Sequence, residues 1–233
     1  MVILELESID STNEEAKRII KKGLFEDTAI LAHIQSSGRG RYGREWQSPE
    51  GNLYFSVALK NKYPLQQAAQ ISFIAAIAAK DFIQSLAPKT AIELKWPNDV
   101  LIGDKKIAGI LLESYNDHVI VGVGINIASR PEGLDRPVTC LANYGKTPAI
   151  SSRLLEEWLF FFDKYLNLWH KSSFAVIRDC WIKNAWKLGK QINIKIGNEK
   201  ITGIFKDIND KGELVLESNG KSKLISSGEV FFD

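Results

Sequence analysis

The 233-residue chain has only two cysteines, Cys140 and Cys180, and three histidines, His33, His118 and His170. The cysteines form neither a CxxC pair nor a zinc spacing. They read as two reduced, buried thiols of a cytosolic protein. The histidines are too scattered for a metal site or a catalytic triad, and no stretch gathers acidic residues into a metal cluster. Charge of one sign is also lacking: 30 Lys and Arg face 28 Asp and Glu, for a net charge of +2. Domains that bind nucleic acid electrostatically carry a clear basic excess, so any positive charge that matters here is local. Long apolar runs are missing as well. The most apolar stretch, Ile71 to Ile83, is broken by Ser72, Lys80 and Asp81 and is too short to span a bilayer. The acidic start, MVILELESIDSTNEE, has no secretory pattern. No internal repeat or low-complexity segment occurs, and no helix-turn-helix precedes the first strand. The expectation is a cytoplasmic protein that binds neither membrane nor nucleic acid.

What is present is a chain with 45% hydrophobic residues, enough for one large domain or one large and one small. Met1 to Leu6 predicts a short strand. Ser11 with Glu14, or Thr12 with Glu15, fits a capping box at the start of a helix, with Ala16, Ile19 and Ile20 as its apolar stripe and Gly23 as its stop. Thr28 to Ile34 predicts a buried strand, and the period of two through Leu53, Phe55, Val57 and Leu59 predicts another. Leu65 to Leu86 reads as one long helix. Ile92 to Leu101 reads as a strand broken at Pro97 and resuming at Asp99. Turns at Gly103-Asp104-Lys105 and Asn116-Asp117 then complete an antiparallel meander through Ile127. Ser151 to Trp186 predicts two helices whose Trp158, Trp169, Trp181 and Trp186 belong to the core. From Lys190 the texture changes. Alternating Ile192, Ile194 and Ile196, with turns at Gly197-Asn198, Asn209-Asp210-Lys211-Gly212 and Asn219-Gly220, predict a small β-barrel of about 45 residues. A core of that size is marginal alone, so it should pack on the main domain.

Between the first two buried strands lies Gly38-Arg39-Gly40-Arg41-Tyr42-Gly43-Arg44-Glu45-Trp46, within a connection of about 17 residues, a length that in a compact domain is usually functional or disordered. Glycine lets a backbone approach a ligand closely. Arginine offers a permanent charge in a fork that fits phosphate or carboxylate, and tryptophan offers a flat face for a base. A loop that wraps a small anionic, base-bearing ligand is one reading; a solvated basic turn is the other.

Four features in order decide between them: Ser11-Thr12-Asn13; Gln35 with the arginine-glycine loop; Lys95-Trp96-Pro97-Asn98-Asp99; and Lys106-Ile107-Ala108-Gly109 followed by Gly122-Val123-Gly124-Ile125-Asn126. Together they closely resemble the biotin protein ligases, across about Ser8 to Ile127. The resemblance implies an α+β fold with a mixed or antiparallel sheet and helices, like class II aminoacyl-tRNA synthetases, plus an SH3-like end domain. The expected division is 1–187 for the catalytic biotin- and ATP-binding part and 188–233 for the small barrel, in a ligase-only form without an N-terminal DNA-binding domain.

The resemblance also implies the chemistry. Biotin's carboxylate attacks the α-phosphate of ATP to give biotinyl-5'-AMP, and a lysine of a carboxylase's biotin carboxyl carrier domain takes the biotinyl group. Two anions must meet, and a lysine at about 4 Å supplies on the order of 4 kcal/mol at an effective dielectric near 20, at most roughly a thousandfold in rate. Lys106 is implied as that lysine, with Arg39 and Arg41 as its catalytic partners. Arg39, Gly40, Arg41, Arg44, Trp46, Lys106 and Asn126 are implied for the nucleotide, with Trp46 on adenine. Ser11, Thr12, Asn13, Gln35, Gly38, Gly109, Gly122 and Gly124 are implied for biotin, and Asn98 and Asp99 for orienting the incoming lysine. Tyr42 stands where the family's best-known pattern has another arginine. Triphosphate chemistry implies Mg²⁺ held mainly through phosphate oxygens, without named protein ligands. The meander's exposed edge could support a homodimer. The competing enzymatic reading is a lipoate ligase or octanoyltransferase, which does not need the polar Ser-Thr-Asn and Gln set. The competing binding reading is an arginine-glycine nucleic-acid module, against which stand the single occurrence of the segment and the near-neutral charge. A catalytically dead homologue is disfavoured by the presence of Lys106, Arg39 and Gln35.

Overall fold

In the computed structural model, described for residues 1–23, 26–60, 64–134, 136–197 and 199–231, the early alternation becomes β1 (Val2–Ile9), followed by α1 (Thr12–Lys21), β2 (Thr28–Gln35) and β3 (Leu53–Lys60). The expected long helix is two pieces, α2 (Leu65–Ala68) and α3 (Ile71–Leu86). The break frees the Gln70 side chain, which donates to Asp210 O and accepts from Trp169 Nε1. Next come β4 (Ile92–Lys95), β5 (Asp99–Ile102), β6 (Lys105–Tyr115) and β7 (His118–Ile125). These seven strands form one sheet in the order β1-β2-β3-β7-β6-β5-β4. β1 runs parallel to β2, and all other neighbours are antiparallel.

The interrupted strand at Pro97 is corrected to a hairpin. The chain reverses at Trp96-Pro97-Asn98, where the Trp96–Pro97 peptide is cis, and Lys95 pairs with Asp99 across the turn. The meander's outer edge is also covered, because Leu94 N donates to Asn184 O and Trp186 N donates to Leu94 O. At Leu94 the edge expected for a dimer is therefore already bridged within the chain.

The period of two sorts the sheet's side chains onto two faces. Ala29, Leu31, Phe55, Val57, Val121 and Val123 point to the main core under α3, α4 (Ser152–Lys171) and α5 (Phe174–Ile182). Ile30, Ala58 and Ile120 point the other way and pack under Ala16 and Ile20 of α1. Ser56, Gly122 and Gly124 share this second face by their positions in β3 and β7. The four predicted core tryptophans are all buried. Both cysteines are free thiols; Cys140 is buried but Cys180 is only half-buried, against expectation.

The C-terminal strands β8 (Gln191–Ile196), β9 (Glu199–Ile208), β10 (Leu214–Ser218), β11 (Lys221–Ile225) and β12 (Glu229–Val230) form an antiparallel sheet, ordered β11-β10-β9-β8-β12. Of the predicted turn Gly197-Asn198, Asn198 lies outside the described residues. Phe205, Ile208, Leu214 and Leu216 join the main core, with Trp181 and Phe205 in an edge contact and Arg178 paired with Asp207. Trp96 Nε1 donates to Gly212 O at 3.0 Å. Among the described residues no helix is long and apolar enough to cross a membrane.

Candidate active site

The first turn of α1 meets the end of β2 and the middle of β3 in a buried polar wall. Ser11, Thr12, Asn13 and Ser56 are each nearly or fully buried. The backbone N of Thr12 donates to Gln35 Oε1 at 2.9 Å, and Thr12 Oγ1 lies 3.1 Å from the same oxygen. Ser56 Oγ lies 2.7 Å from Thr12 Oγ1 and 2.5 Å from Asn13 Oδ1. These three hydroxyl contacts share two hydroxyl protons, since each hydroxyl donates only once. The wall therefore keeps room for a donor from outside. Asn13 Nδ2 donates to Glu113 Oε2 at 2.7 Å, and Gln35 Nε2 donates to Ser48 Oγ at 2.9 Å. Glu113 is buried enough to favour its neutral form, yet hydrogen bonds from Lys17 and Asn13 hold its carboxyl below the usual range. The expected capping box does not form. Ser11 is the N-cap residue, but its side chain makes no bond to the helix start, and the neighbouring Asp10 carboxylate accepts its backbone N–H instead.

Beside this wall stands a buried charge cluster. A strictly alternating β6 would send Lys106 to the core face with Ala108 and Ile110. The register between β5 and β6 slips between Val100 and Leu101, so that Leu101 pairs with Lys106 and Val100 with Ala108. An extra residue of this kind re-aims the side chains before it. Lys106 thereby reaches the face of Gly109, and its Nζ lies 2.5 Å from Asp99 Oδ1 with both side chains largely buried. Burial favours a neutral Asp99, but the Lys106 and Lys95 ammoniums outweigh it and hold the carboxyl below its ordinary value. Burial lowers the Lys106 ammonium from its usual value, and Asp99 pulls the other way. Asn98 Nδ2 donates to Ile110 O, and Asn98 O accepts from Ile110 N, which fixes the hairpin against β6.

The indole of Trp46 lies over this cluster, its ring centre 5.1 Å from Lys106 Nζ. A Cβ at Gly124 would sit 2.5 Å from Trp46 Cε2, and one at Gly109 would sit 2.9 Å from its Cζ3. At Gly122 it would meet Asn13 Oδ1 at 2.3 Å. These glycines therefore admit Trp46 and Asn13 side chains to the sheet surface. Trp46 Nε1 is buried without a partner.

The arginine loop folds back as a narrow hairpin. Gln35 bridges to Ser48 and Arg39 to Glu45, and Trp46 N donates to Gly38 O. Gly38 has no room for a Cβ, which would fall 2.3 Å from Trp46 O. Tyr42 adopts φ 58° at the exposed tip. Each arginine of the loop holds a protein partner. Arg39 pairs with Glu14 at 2.9 Å, Arg41 reaches Gly228 O at 3.3 Å and Tyr42 OH at 3.0 Å, and Arg44 pairs with Glu229 at 2.5 Å. Two of these partners belong to the C-terminal part.

Two adjoining cavities open here. One, of about 70 Å³, runs from the Ser11–Gln35 wall past Lys106. The other, of about 470 Å³, continues past Lys106, Asp99 and Asn126 toward Arg136, Pro137 and Phe231. Asn126 Nδ2 donates to Thr139 O, while its Oδ1 is buried without a partner. Every residue expected at the site lines one or both cavities except Gly38. Sequence reasoning quoted Lys95 within a motif but gave it no role, and it missed Ser56, Glu113, Arg136 and Glu229, which arrive by sheet register or from distant segments. Among the described residues no group of three or more His, Cys, Asp or Glu could hold a metal ion.

The profile of the Biotin/lipoate A/B protein ligase family matches residues 5–126, and that of the Biotin protein ligase C terminal domain matches residues 187–233. The chain belongs to the biotin/lipoate A/B protein ligase family. Within that family it is 36% identical to a biotin–[acetyl-CoA-carboxylase] ligase of Paracoccus denitrificans, over 96% of this chain and 97% of that protein. A biotin protein ligase from Aquifex aeolicus, solved in complex with biotin and ATP, superposes with a TM-score of 0.84 at 30% identity, covering 99% of this chain and 97% of that one. A biotin protein ligase from Leishmania major, solved with biotinyl-5-AMP, superposes with a TM-score of 0.71 at 25% identity, covering 97% and 99%. The expected sheet, helices and C-terminal domain are thus those of the ligase family.

Proposed function

We infer that the two cavities hold the two substrates of an ATP-dependent biotinylation, with Lys106 at the point where they react. The chain is a biotin–protein ligase that works through biotinyl-5'-AMP. The observation that carries the site assignment is the position of Lys106, a buried ammonium fixed by Asp99 where a polar, donor-accepting wall meets a larger cavity.

In this reading Ser11, Thr12, Asn13 and Gln35 receive the ureido ring, whose N–H groups and carbonyl match the wall's mixed donors and acceptors. Gly109, Gly122 and Gly124 let Trp46, Asn13 and the ligand share the sheet surface, and Gly38 keeps the loop closed against Trp46. The carboxylate oxygen bonds to the α-phosphorus near Lys106, and pyrophosphate departs. Arg39, Arg41 and Arg44, with Gly40 giving the backbone access, exchange Glu14, Gly228 O and Glu229 for phosphate oxygens. Trp46 stacks on adenine, and the open Oδ1 of Asn126 accepts from the nucleotide or its hydrated metal. In the second step the acceptor amine attacks the acyl carbon and AMP leaves. Asp99, with Asn98 holding the hairpin, fixes Lys106 and faces the incoming lysine.

The acceptor is proposed as a biotin carboxyl carrier domain of acetyl-CoA carboxylase or a related carboxylase, in the cytoplasm. Mg²⁺ fits as an ion carried on the triphosphate, because two of the three carboxylates that line the cavities, Asp99 and Glu229, already pair with Lys106 and Arg44. Residues 1–187 form the catalytic part and 188–233 the small domain. A homodimer through a sheet edge would use β1, where Val2 and Leu4 are exposed, and sedimentation would test it.

The deciding experiment is exchange of labelled pyrophosphate into ATP. Biotin should drive it and lipoate should not; exchange with lipoate alone would overturn the substrate assignment.

A further inference from the structure

Lys95 takes no part in the steps above, yet it is one of the most deeply buried lysines of the chain. We propose that Lys95 receives the β- and γ-phosphates of ATP and stabilises pyrophosphate as it leaves. The proposal rests on the biotinylation reading and assigns it a further catalytic residue.

Three observations carry it. Lys95 ends β4 directly across from Asp99, whose carboxylate lies 2.5 Å from Lys106 Nζ. Its residue exposure is 4%, and it lines both cavities rather than the core alone. Six Lys and Arg side chains line the smaller cavity against three carboxylates, and Arg44 already pairs with one of those, Glu229. Arg39 pairs with Glu14 outside the cavity, and the positive charge that remains in excess suits an anion of several charges. Lys106 serves the α-phosphate, where bond making occurs. The leaving group needs a second cation beyond it: as the carboxylate oxygen bonds to phosphorus, the bond to the α,β-bridging oxygen breaks and its electron pair departs on pyrophosphate. The ring centre of Trp186 lies 5.5 Å from Lys95 Nζ. Burial pulls the Lys95 ammonium down to about 8, with Asp99 and Glu229 opposing and Lys106 and Arg136 adding to it. A bound polyanion would favour the charged form again.

The test separates the two half-reactions in the full-length protein. Lys95→Met should raise KM for pyrophosphate at least tenfold in the reverse reaction, which turns biotinyl-AMP and pyrophosphate into ATP. Transfer from synthetic biotinyl-AMP to a purified biotin carboxyl carrier domain should fall less than threefold. Lys95→Arg should restore much of the pyrophosphate response. An unchanged KM for pyrophosphate, or an equal fall in both half-reactions, would overturn the proposal. If Lys95→Met does not fold, Lys95→Gln is read by the same two assays. Wild-type protein that forms no biotinyl-AMP from biotin and ATP would instead overturn the parent reading.

Discussion

Ser56, on one side of the cleft, is fully buried and touches Thr12 and Asn13 through its single hydroxyl. Arg44, on the other side, meets Glu229 with 40% of its side chain in solvent. The first side is a network of short, dry hydrogen bonds; the second is a loop fastened by exposed ion pairs. Breaking a buried hydrogen bond costs about 1–3 kcal/mol, whereas an exposed ion pair contributes about 0–1 kcal/mol. The wall is thus shaped before any ligand arrives, while the loop can trade its partners for those of a ligand at little cost. Such a difference suits a reaction that must select one acid and then close over a reactive adenylate.

Lys106 stands where the two sides meet, and its loss should have the largest effect. Lys106→Ala should reduce biotin-dependent pyrophosphate exchange by roughly a thousandfold. It also strands Asp99, so a melting curve must accompany the rate; near-normal exchange would remove Lys106 from the chemistry. Replacing Arg39 and Arg41 together with glycine should shorten the lifetime of bound biotinyl-AMP by up to about a hundredfold, two charge-assisted bonds at about 1.5 kcal/mol each. Labelling of bystander lysines would report the escape, and an unchanged lifetime would deny the loop its role as a cover.

Ser56→Ala probes the other side. It should raise KM for biotin roughly tenfold and leave KM for ATP alone; equal changes in both would mean the wall is not a separate unit. Glu229→Gln should alter adenylate retention by no more than about fivefold, and high ionic strength should mimic it without affecting Ser56→Ala. A last effect is read on stability rather than on rate, as a pH slope. Lys95 titrates near 8 when folded and near 10.4 when unfolded. Between those values the unfolded chain binds more protons, so stability should rise with pH through that window and level off below about 8, where both states are protonated. Lys95→Met should flatten the slope, as read by melting temperature against pH.

Much of the fold was legible from local pattern. The alternation in β3 and β7, the turn residues of the meander and the spacing of the tryptophans all reflect burial that a sequence states directly. The site was legible where glycine, arginine and asparagine cluster in short motifs. The remainder depends on register and on contacts between distant segments. Ser56 looks like one more residue of a buried strand, and only its pairing with Gly122 opposite α1 makes it part of the wall. Strict alternation would have buried Lys106 in the core; the register slip opposite Val100 and Leu101 has no signature in the side chains around it. Glu229 meets the loop from 185 residues away. The break between α2 and α3 was hidden because Ala69 and Gln70 are acceptable in a helix, and the tertiary contacts of Gln70 decide otherwise.

The hydrogen bond from Trp96 Nε1 to Gly212 O has a consequence for exchanging parts between relatives. Gly212 has φ 77°, and a Cβ there would fall 2.6 Å from Phe73, so the carbonyl that meets Trp96 belongs to a loop with little freedom to vary. Trp96 in turn begins the reversal that presents Asp99. A chimera joined near residue 187 would bring a foreign loop to the back of the catalytic hairpin, and grafts should succeed only when that loop and Trp96 travel as a matched pair.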